Sequence, residues 1–229
     1  MFSFEGFMRI NLFLRGMYRL AYLNLLWIAA TVAGLVVFGI GPASYAVAAY
    51  IDRWFRFGET PPVTRAFVGH LRTQYWRSAA MGWILGAAAA IVITNIFLAS
   101  DWFLQFANVM ALIAVGIVAA YVFPVMAATD VRGIGRQLGT ALMIGVGSLH
   151  WTIVATAAVV ACTWLLATYA LPLLVLFGVA IPAAAVGFVT RIVFGRIVAD
   201  AAAEALLTSP PGAHETTRAP AHLARGRSQ

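Results

Sequence analysis

The stretch WFLQFANVMALIAVGIVAAYVFPVM, Trp102 to Met126, decides the fold. It carries no charge over its whole length. The hydrocarbon core of a bilayer is about 30 Å thick and takes about 20 apolar residues as a helix. Inside it every backbone N–H and C=O must find a partner within the protein, so such a stretch becomes a helix. Working outward, four more stretches read the same way: Leu20 to Gly39, Ser78 to Leu98, Trp151 to Thr168 and Pro172 to Thr190.

The rest of the composition agrees. Of 229 residues, 62% are hydrophobic, 10% are charged, and the mean hydropathy is +0.89. Soluble domains have about 45–50% apolar and about 25% charged residues. A soluble enzyme, a disordered chain and a disulfide scaffold are therefore excluded. Cys162 is the lone cysteine, sits in an apolar run, and reads as a small packing residue.

A sixth segment is ambiguous. After Gly39-Ile40-Gly41-Pro42, a helix stop and restart, comes Ala43 to Ile51 and then Asp52-Arg53-Trp54-Phe55-Arg56-Phe57. From Ala43 to Phe57 a helix rises only about 22 Å, short for a crossing.

The arginines arbitrate. All 15 basic residues are Arg, against 8 acidic residues, a net charge of +7. If the short segment crosses, every Arg falls on one side of the membrane: Arg9, Arg15, Arg19; Arg53, Arg56, Arg65, Arg72, Arg77; Arg132, Arg136; Arg191, Arg196, Arg218, Arg225, Arg227. Cytoplasmic loops carry such an excess. The sequence thus favours an all-α, polytopic transmembrane helix bundle with six crossings, the second short or re-entrant, and both termini cytoplasmic. Five crossings are the alternative, at the cost of moving three arginines outside. Arg53, Arg56, Arg72, Arg77, Arg132, Arg136, Arg191 and Arg196 read as topology and headgroup residues, which leaves no basic surface for nucleic acid. Three regions follow: an interfacial amphipathic helix over 1–19, with Phe7, Ile10, Leu14 and Met17 on one face; a helical membrane domain over 20–207; and a disordered cytoplasmic tail over 208–229, rich in Pro and Arg. A signal peptide is not favoured, because the first apolar run is too long for one.

Chemistry is sparse. The acids Glu5, Asp52, Glu59, Asp101, Asp130, Asp200, Glu204 and Glu215 all fall at helix ends, in loops or in tails. A proton-coupled pump would place some of them within a span. His70, His150, His214 and His222 show no metal-ligand spacing, and Gly133-Ile134-Gly135-Arg136-Gln137-Leu138-Gly139 lacks the lysine and strand of a phosphate loop. No catalytic, cofactor or metal residue is assigned, and the chain reads as non-enzymatic. Polar groups inside spans, Asn24 among them, are expected to hydrogen-bond a neighbouring helix. Ser78, Gly82, Gly86 and Ala90 form a small-residue stripe for helix packing, within the chain or between copies. Pro124 and Pro182 are expected to bend their helices. Ala66 and Trp76 share a spacing with Ala141 and Trp151, a weak hint of repetition.

The order of short motifs resembles the YesL-like family of bacterial integral membrane proteins, a domain family of unknown function. Those motifs are Asn24-Leu25-Leu26-Trp27, Gly39-Ile40-Gly41-Pro42-Ala43, the basic end near Arg53, Phe67, Tyr121-Val122-Phe123-Pro124 and Ala141-Leu142. The resemblance implies an accessory component of carbohydrate uptake, with ABC transporter subunits as partners beside the lipid bilayer. It also implies a bacterial inner membrane location and supplies no catalytic residues. A small permease or channel for a neutral solute is the alternative. The Gly41-Pro42 break and the segment 53–77 are the expected contact surfaces.

Overall fold

The computed structural model describes residues 4–129 and 133–208. Among them there are helices and no strand: α1 (Phe4–Ala33), α2 (Ile40–Phe57), α3 (Val63–Thr73), α4 (Tyr75–Leu98), α5 (Trp102–Ala128), α6 (Ile134–Gly147), α7 (Leu149–Tyr169), α8 (Leu171–Phe177) and α9 (Ala180–Thr208). The chain divides into two compact units, Met1–Val193 and Phe194–Gln229. All packing below lies in the first; the described part of the second is helical as far as Thr208. Arg132 and the proposed tail beyond Thr208 lie outside the described residues.

Three helices are long and apolar enough to cross a membrane: α4, α5 and α7. A fourth span results if the bent pair α8 and α9 counts as one, its halves meeting at 47°. These apolar helices mark a membrane protein. α5 contains the deciding stretch, and it starts where Asp101 caps it by accepting a hydrogen bond from the Phe103 N–H at 3.0 Å.

Two boundaries differ from the reading of the sequence. The interfacial segment and the first apolar stretch are one helix, α1, without a break near residue 19; nothing between Met17 and Leu23 is a helix breaker. The last span breaks at Gly178-Val179 and not at Pro182 itself. The reason is geometric: Pro182 has no N–H for the carbonyl four residues back, Gly178, and its ring pushes that carbonyl away. α5, by contrast, runs unbroken through Pro124 to Ala128.

α2 forms the centre of the bundle. Its residues from Gly41 to Ile51 are buried except Ser44, which is half-buried. One side packs on Leu23 of α1 and Phe67 of α3; the other meets Met81 of α4, Tyr121 and Val125 of α5, and Val189 of α9. The basic end of α2 leaves the core: Arg56 pairs with Asp52 at 3.6 Å and Arg53 with Glu59 at 4.0 Å.

One arrangement occurs twice. α3 follows α2 after five residues, folds back on it through buried Phe67, and joins α4 across a single residue, Gln74. α6 follows α5 after five residues, packs back with Gly145 against Ile117 and Tyr121, and joins α7 across Ser148. The equal Ala-to-Trp spacing noted above falls on these two equivalent junctions.

Candidate functional site

A cavity of about 620 Å³ lies where α2, α4, α5 and α9 converge. Its walls come from the N-terminal face of α2 (Ile40, Gly41, Ser44), from Gly82 and Gly86 of α4, from Gly116 to Pro124 of α5, and from Val179, Pro182 and Ala183 beside and within α9. Each of three proline-bearing segments thus reaches it: Gly41-Pro42, Phe123-Pro124 and Val179 to Pro182. Pro124 has no N–H to give the Ala120 carbonyl, and Ala120 is itself part of the wall.

The lining is almost wholly apolar. Among the described residues Ser44 is the one lining side chain with a hydrogen-bonding group, and its hydroxyl accepts from Trp27 Nε1 at 3.1 Å. Trp27 of α1 therefore fixes the rim of the cavity from behind.

Two devices hold the walls in place. The first is backbone contact. A Cβ on Gly41 would run into the Ser78 carbonyl, and a Cβ on Gly82 would lie 3.1 Å from the Gly41 Cα. Only glycine permits this approach of α2 to α4. Of the small-residue stripe, Ser78 and Gly82 make this contact, Gly86 opens onto the cavity, and Ala90 is exposed. The stripe is therefore partly a packing face and partly a wall.

The second device is a side chain inserted into a helix. Asn24 of α1 is 2% exposed. Its Nδ2 donates to the Val175 carbonyl at 2.6 Å, and its Oδ1 accepts from the N–H groups of Val179 at 2.9 Å and Ala180 at 3.2 Å. In an unbroken helix the Val179 N–H would bond the Val175 carbonyl directly. The carboxamide takes the place of that bond, satisfying both ends where α8 gives way to α9. Sequence reading pointed to Asn24 as a polar group seeking another helix. The break it fills, and the cavity beyond, carry no local signal near residue 24.

The α1–α2 corner, Gly34 to Gly39, closes differently. The Val36 N–H reaches the Thr31 carbonyl at 2.8 Å and the Leu35 N–H reaches the Val32 carbonyl at 3.0 Å, the Schellman pattern. Leu35 and Val36 sit at φ 51° and 64°, the left-handed region where glycine is the usual occupant. Gly39 presses on Ala30 and Thr31, so no larger residue fits there. Trp83 of α4 covers the corner, donating from Nε1 to the Val37 carbonyl at 2.7 Å and meeting Phe38 edge-on at 5.0 Å. The burial of Gly41 and Pro42 corrects one expectation: the break is occupied by the protein's own α4 and is no outward contact surface.

Among the described residues no arginine lines this cavity. Arg53 and Arg56 end α2, Arg72 is exposed on α3, Arg77 opens α4, and Arg136, Arg191 and Arg196 are exposed. His70, half-buried on α3, has its pKa lowered by burial first and by Arg53 second. Thr152, one of the polar groups that the sequence places inside a span, meets Tyr121 in a buried hydroxyl pair at 2.8 Å that ties α5 to α7; only the identity of its partner left no sequence signal.

Comparison with known proteins places this geometry. The family model described as "Protein of unknown function, DUF624" matches residues 20–96, which contain Asn24, the Gly34–Gly39 corner, all of α2 and the α4 contact. YteU of Bacillus subtilis is 30% identical over 154 residues, 65% of this chain and 69% of that protein. This chain belongs to the DUF624 family, the YesL-like proteins. YesL of the same organism is 33% identical over 126 residues, covering 54% of this chain and 60% of YesL; YesV is 30% identical over 112 residues, covering 46% and 54%. The matched part is thus under two thirds of YesL and of YesV. All three relatives are described as uncharacterized proteins. No solved structure matches.

Proposed function

We propose that this DUF624 protein is a non-enzymatic component of the bacterial inner membrane, accessory to an ABC transporter for carbohydrate. The observation that carries the reading is the cavity wall. A sugar needs many hydrogen-bonding partners, and among the described residues this wall offers few: the Ser44 hydroxyl, which already accepts from Trp27, and the Ala120 carbonyl that Pro124 leaves without an N–H. Binding of carbohydrate then falls to a partner, and this chain acts by association. Phe7, Leu12, Phe13 and Leu14 on the N-terminal half of α1 are more than half exposed and offer apolar surface to lipid or to that partner. Affinity purification from native membranes should recover transporter subunits. Recovery of none, with sugar uptake unchanged on deletion, overturns the reading.

A second reading, a small permease for a neutral solute, draws on the convergence of three interrupted segments, since discontinuous helices often line substrate sites. Purified protein in liposomes gives the test: flux no greater than in empty vesicles excludes it.

The topology belongs to the same proposal. Both termini are cytoplasmic. Six crossings gather every Arg on that face, and so do four crossings with an α1–α2 hairpin that enters and leaves by it. The contacts of α2 favour the latter. Gly41 lies on Ser78, one residue from Arg77, while Ile51 lies on Gly187, four residues or about 6 Å from Arg191. Ten residues of α2, about 15 Å of helix, thus connect two points at similar depth, so α2 runs obliquely beneath the cavity. In a Cys162→Ala background, Leu35→Cys should resist an impermeant thiol reagent added outside, while Ser100→Cys reacts. Gly135→Cys, chosen because the neighbouring Gln137 is buried, should react only after permeabilisation. Outside labelling at Leu35→Cys restores six crossings.

A further inference from the structure

A second pocket, of about 510 Å³, lies away from the cavity, between α1 and the segment that joins α2 to α3. Leu14, Arg15, Tyr18 and Arg19 form one wall, and Thr60, Pro61, Pro62 and Val63 the other. Its chemistry is the opposite of the cavity's.

Two guanidinium groups one helical turn apart bring positive charge to this wall. Among the described residues no carboxylate pairs with either: the ion pairs nearby join Arg53 to Glu59 and Arg56 to Asp52. Arg15 is exposed, and Arg19 is held over the Trp54 ring at 5.6 Å, which fixes it without neutralising it. The facing wall adds to the field. α3 begins at Val63 after Pro62, with no side-chain cap and no acid in its first turn, so no residue of α3 itself offsets the positive end of its dipole, and the nearby Glu59 is paired with Arg53. That wall is rigid as well, because the buried Tyr50 hydroxyl bonds the Pro61 carbonyl at 3.3 Å and Tyr22 bonds Thr64 at 2.9 Å. Around the pocket Leu14 and Phe13 are exposed apolar groups, and the Tyr18 ring is 68% exposed.

We infer that this pocket binds a phosphoryl group, that of an anionic phospholipid headgroup, with Arg15 and Arg19 as its ligands and the start of α3 as its backstop. Forked guanidinium donors suit phosphate oxygens, and the apolar surround suits acyl chains beside the headgroup. The anion would sit between α1 and the α2–α3 segment, joining them. The inference does not rest on the transporter reading, because it concerns lipid and a different pocket.

The test uses the full-length purified protein and native mass spectrometry with phosphatidylglycerol or phosphatidylcholine as probes. Wild type should retain phosphatidylglycerol in preference to phosphatidylcholine. Arg15→Gln/Arg19→Gln should weaken that retention about tenfold or more, as loss of hydrogen bonds to a charged group implies. The charge-matched control Arg9→Gln/Arg65→Gln, at exposed positions of α1 and α3 outside the pocket lining, should retain it. Inorganic phosphate separates the sources: failure to displace the lipid assigns the site to headgroups, and displacement at millimolar concentration assigns it to free phosphate. Equal retention of the two lipids, or equal loss in both double variants, overturns the site, since general electrostatics would then explain the binding. The chain has seven tryptophans, so the second readout is the part of the emission that Trp54→Phe removes: it should shift on adding phosphatidylglycerol to the protein with Arg15 and Arg19 intact and not to the Arg15→Gln/Arg19→Gln variant.

Discussion

Two interruptions in this molecule solve one problem by different means. At the α1–α2 corner the chain reverses within Gly34 to Gly39, and its own backbone closes the freed groups through the bonds to Thr31 and Val32. At the α8–α9 break the backbone cannot close, and the carboxamide of Asn24, more than 150 residues away, completes the ladder. The corner spends local strain, with Leu35 and Val36 in a left-handed conformation. The distant break relies instead on a side chain held in register between two helices. Within a membrane, where water cannot supply the missing partner, a helix break needs one solution or the other.

The contrast is best attacked first at the glycine contact that positions the corner. Gly41→Val should abolish a stable fold, because even a methyl group would meet the Ser78 carbonyl, and Gly41→Ala should already cost roughly 2–3 kcal/mol as overpacking. Gly86→Ala, whose Cβ would meet nothing within 4 Å, should change stability by under about 0.5 kcal/mol. Thermal melts in detergent followed by size-exclusion recovery compare the three. Equal effects at positions 41 and 86 would mean that α2 and α4 do not touch as described.

Asn24→Ala comes next. It strips partners from the Val175 carbonyl and from two N–H groups. Polar contacts between membrane helices average about 0.6 kcal/mol and reach about 1.7, so the three together should cost roughly 2 kcal/mol. Asn24→Asp should fare little better, since a carboxylate cannot donate to Val175. Amide exchange at Val179 and Ala180 is the direct check, and it should quicken in both variants. If exchange there is unchanged, the side chain does not fill the break.

These cases show why part of the structure was legible and part was not. The long charge-free runs announce α4, α5 and α7, because length and hydropathy are local properties. Gly39-Ile40-Gly41-Pro42 announces a stop and restart for the same reason. The repeat junctions at Gln74 and Ser148 left a trace as a shared Ala-to-Trp spacing. By contrast, the bend expected at Pro182 falls one turn earlier, because the proline acts on the carbonyl four residues back. The stripe from Ser78 to Ala90 has a single period, yet only its first half meets α2; where a neighbouring helix ends is invisible in the stripe itself. The cavity depends on four helices from distant parts of the chain, and its one hydroxyl, Ser44, stands in an Ala-rich run with nothing to distinguish it.

Smaller changes should sharpen the account of the corner. Leu35→Gly places the preferred residue at a left-handed position and should stabilise by about 1 kcal/mol, read as a higher melting temperature. A lower one would mean that contact between lipid and the exposed leucine outweighs the strain. Trp83→Phe should cost about 1 kcal/mol by releasing the Val37 carbonyl while leaving an aromatic ring against Phe38.

The smallest effect concerns pH, and it lies outside both breaks, on α3. Burial, then Arg53, lowers the His70 pKa, so the folded protein favours neutral imidazole more than the unfolded chain does. The unfolded chain takes up its proton near pH 6.5. Stability from this group is therefore fully present above about pH 6.5 and is lost as pH falls below that value, until the folded form also protonates. His70→Gln should flatten the decline in melting temperature between neutral and mildly acidic pH, without altering it above. A decline of the same size in the variant would assign the acid sensitivity to another group. Since α3 supplies one wall of the cationic pocket, added charge at His70 would raise the positive field there. Phosphatidylglycerol should then slow the acid decline in wild type and leave the His70→Gln profile nearly unchanged, which ties the pH response to the anion and not to the apolar cavity.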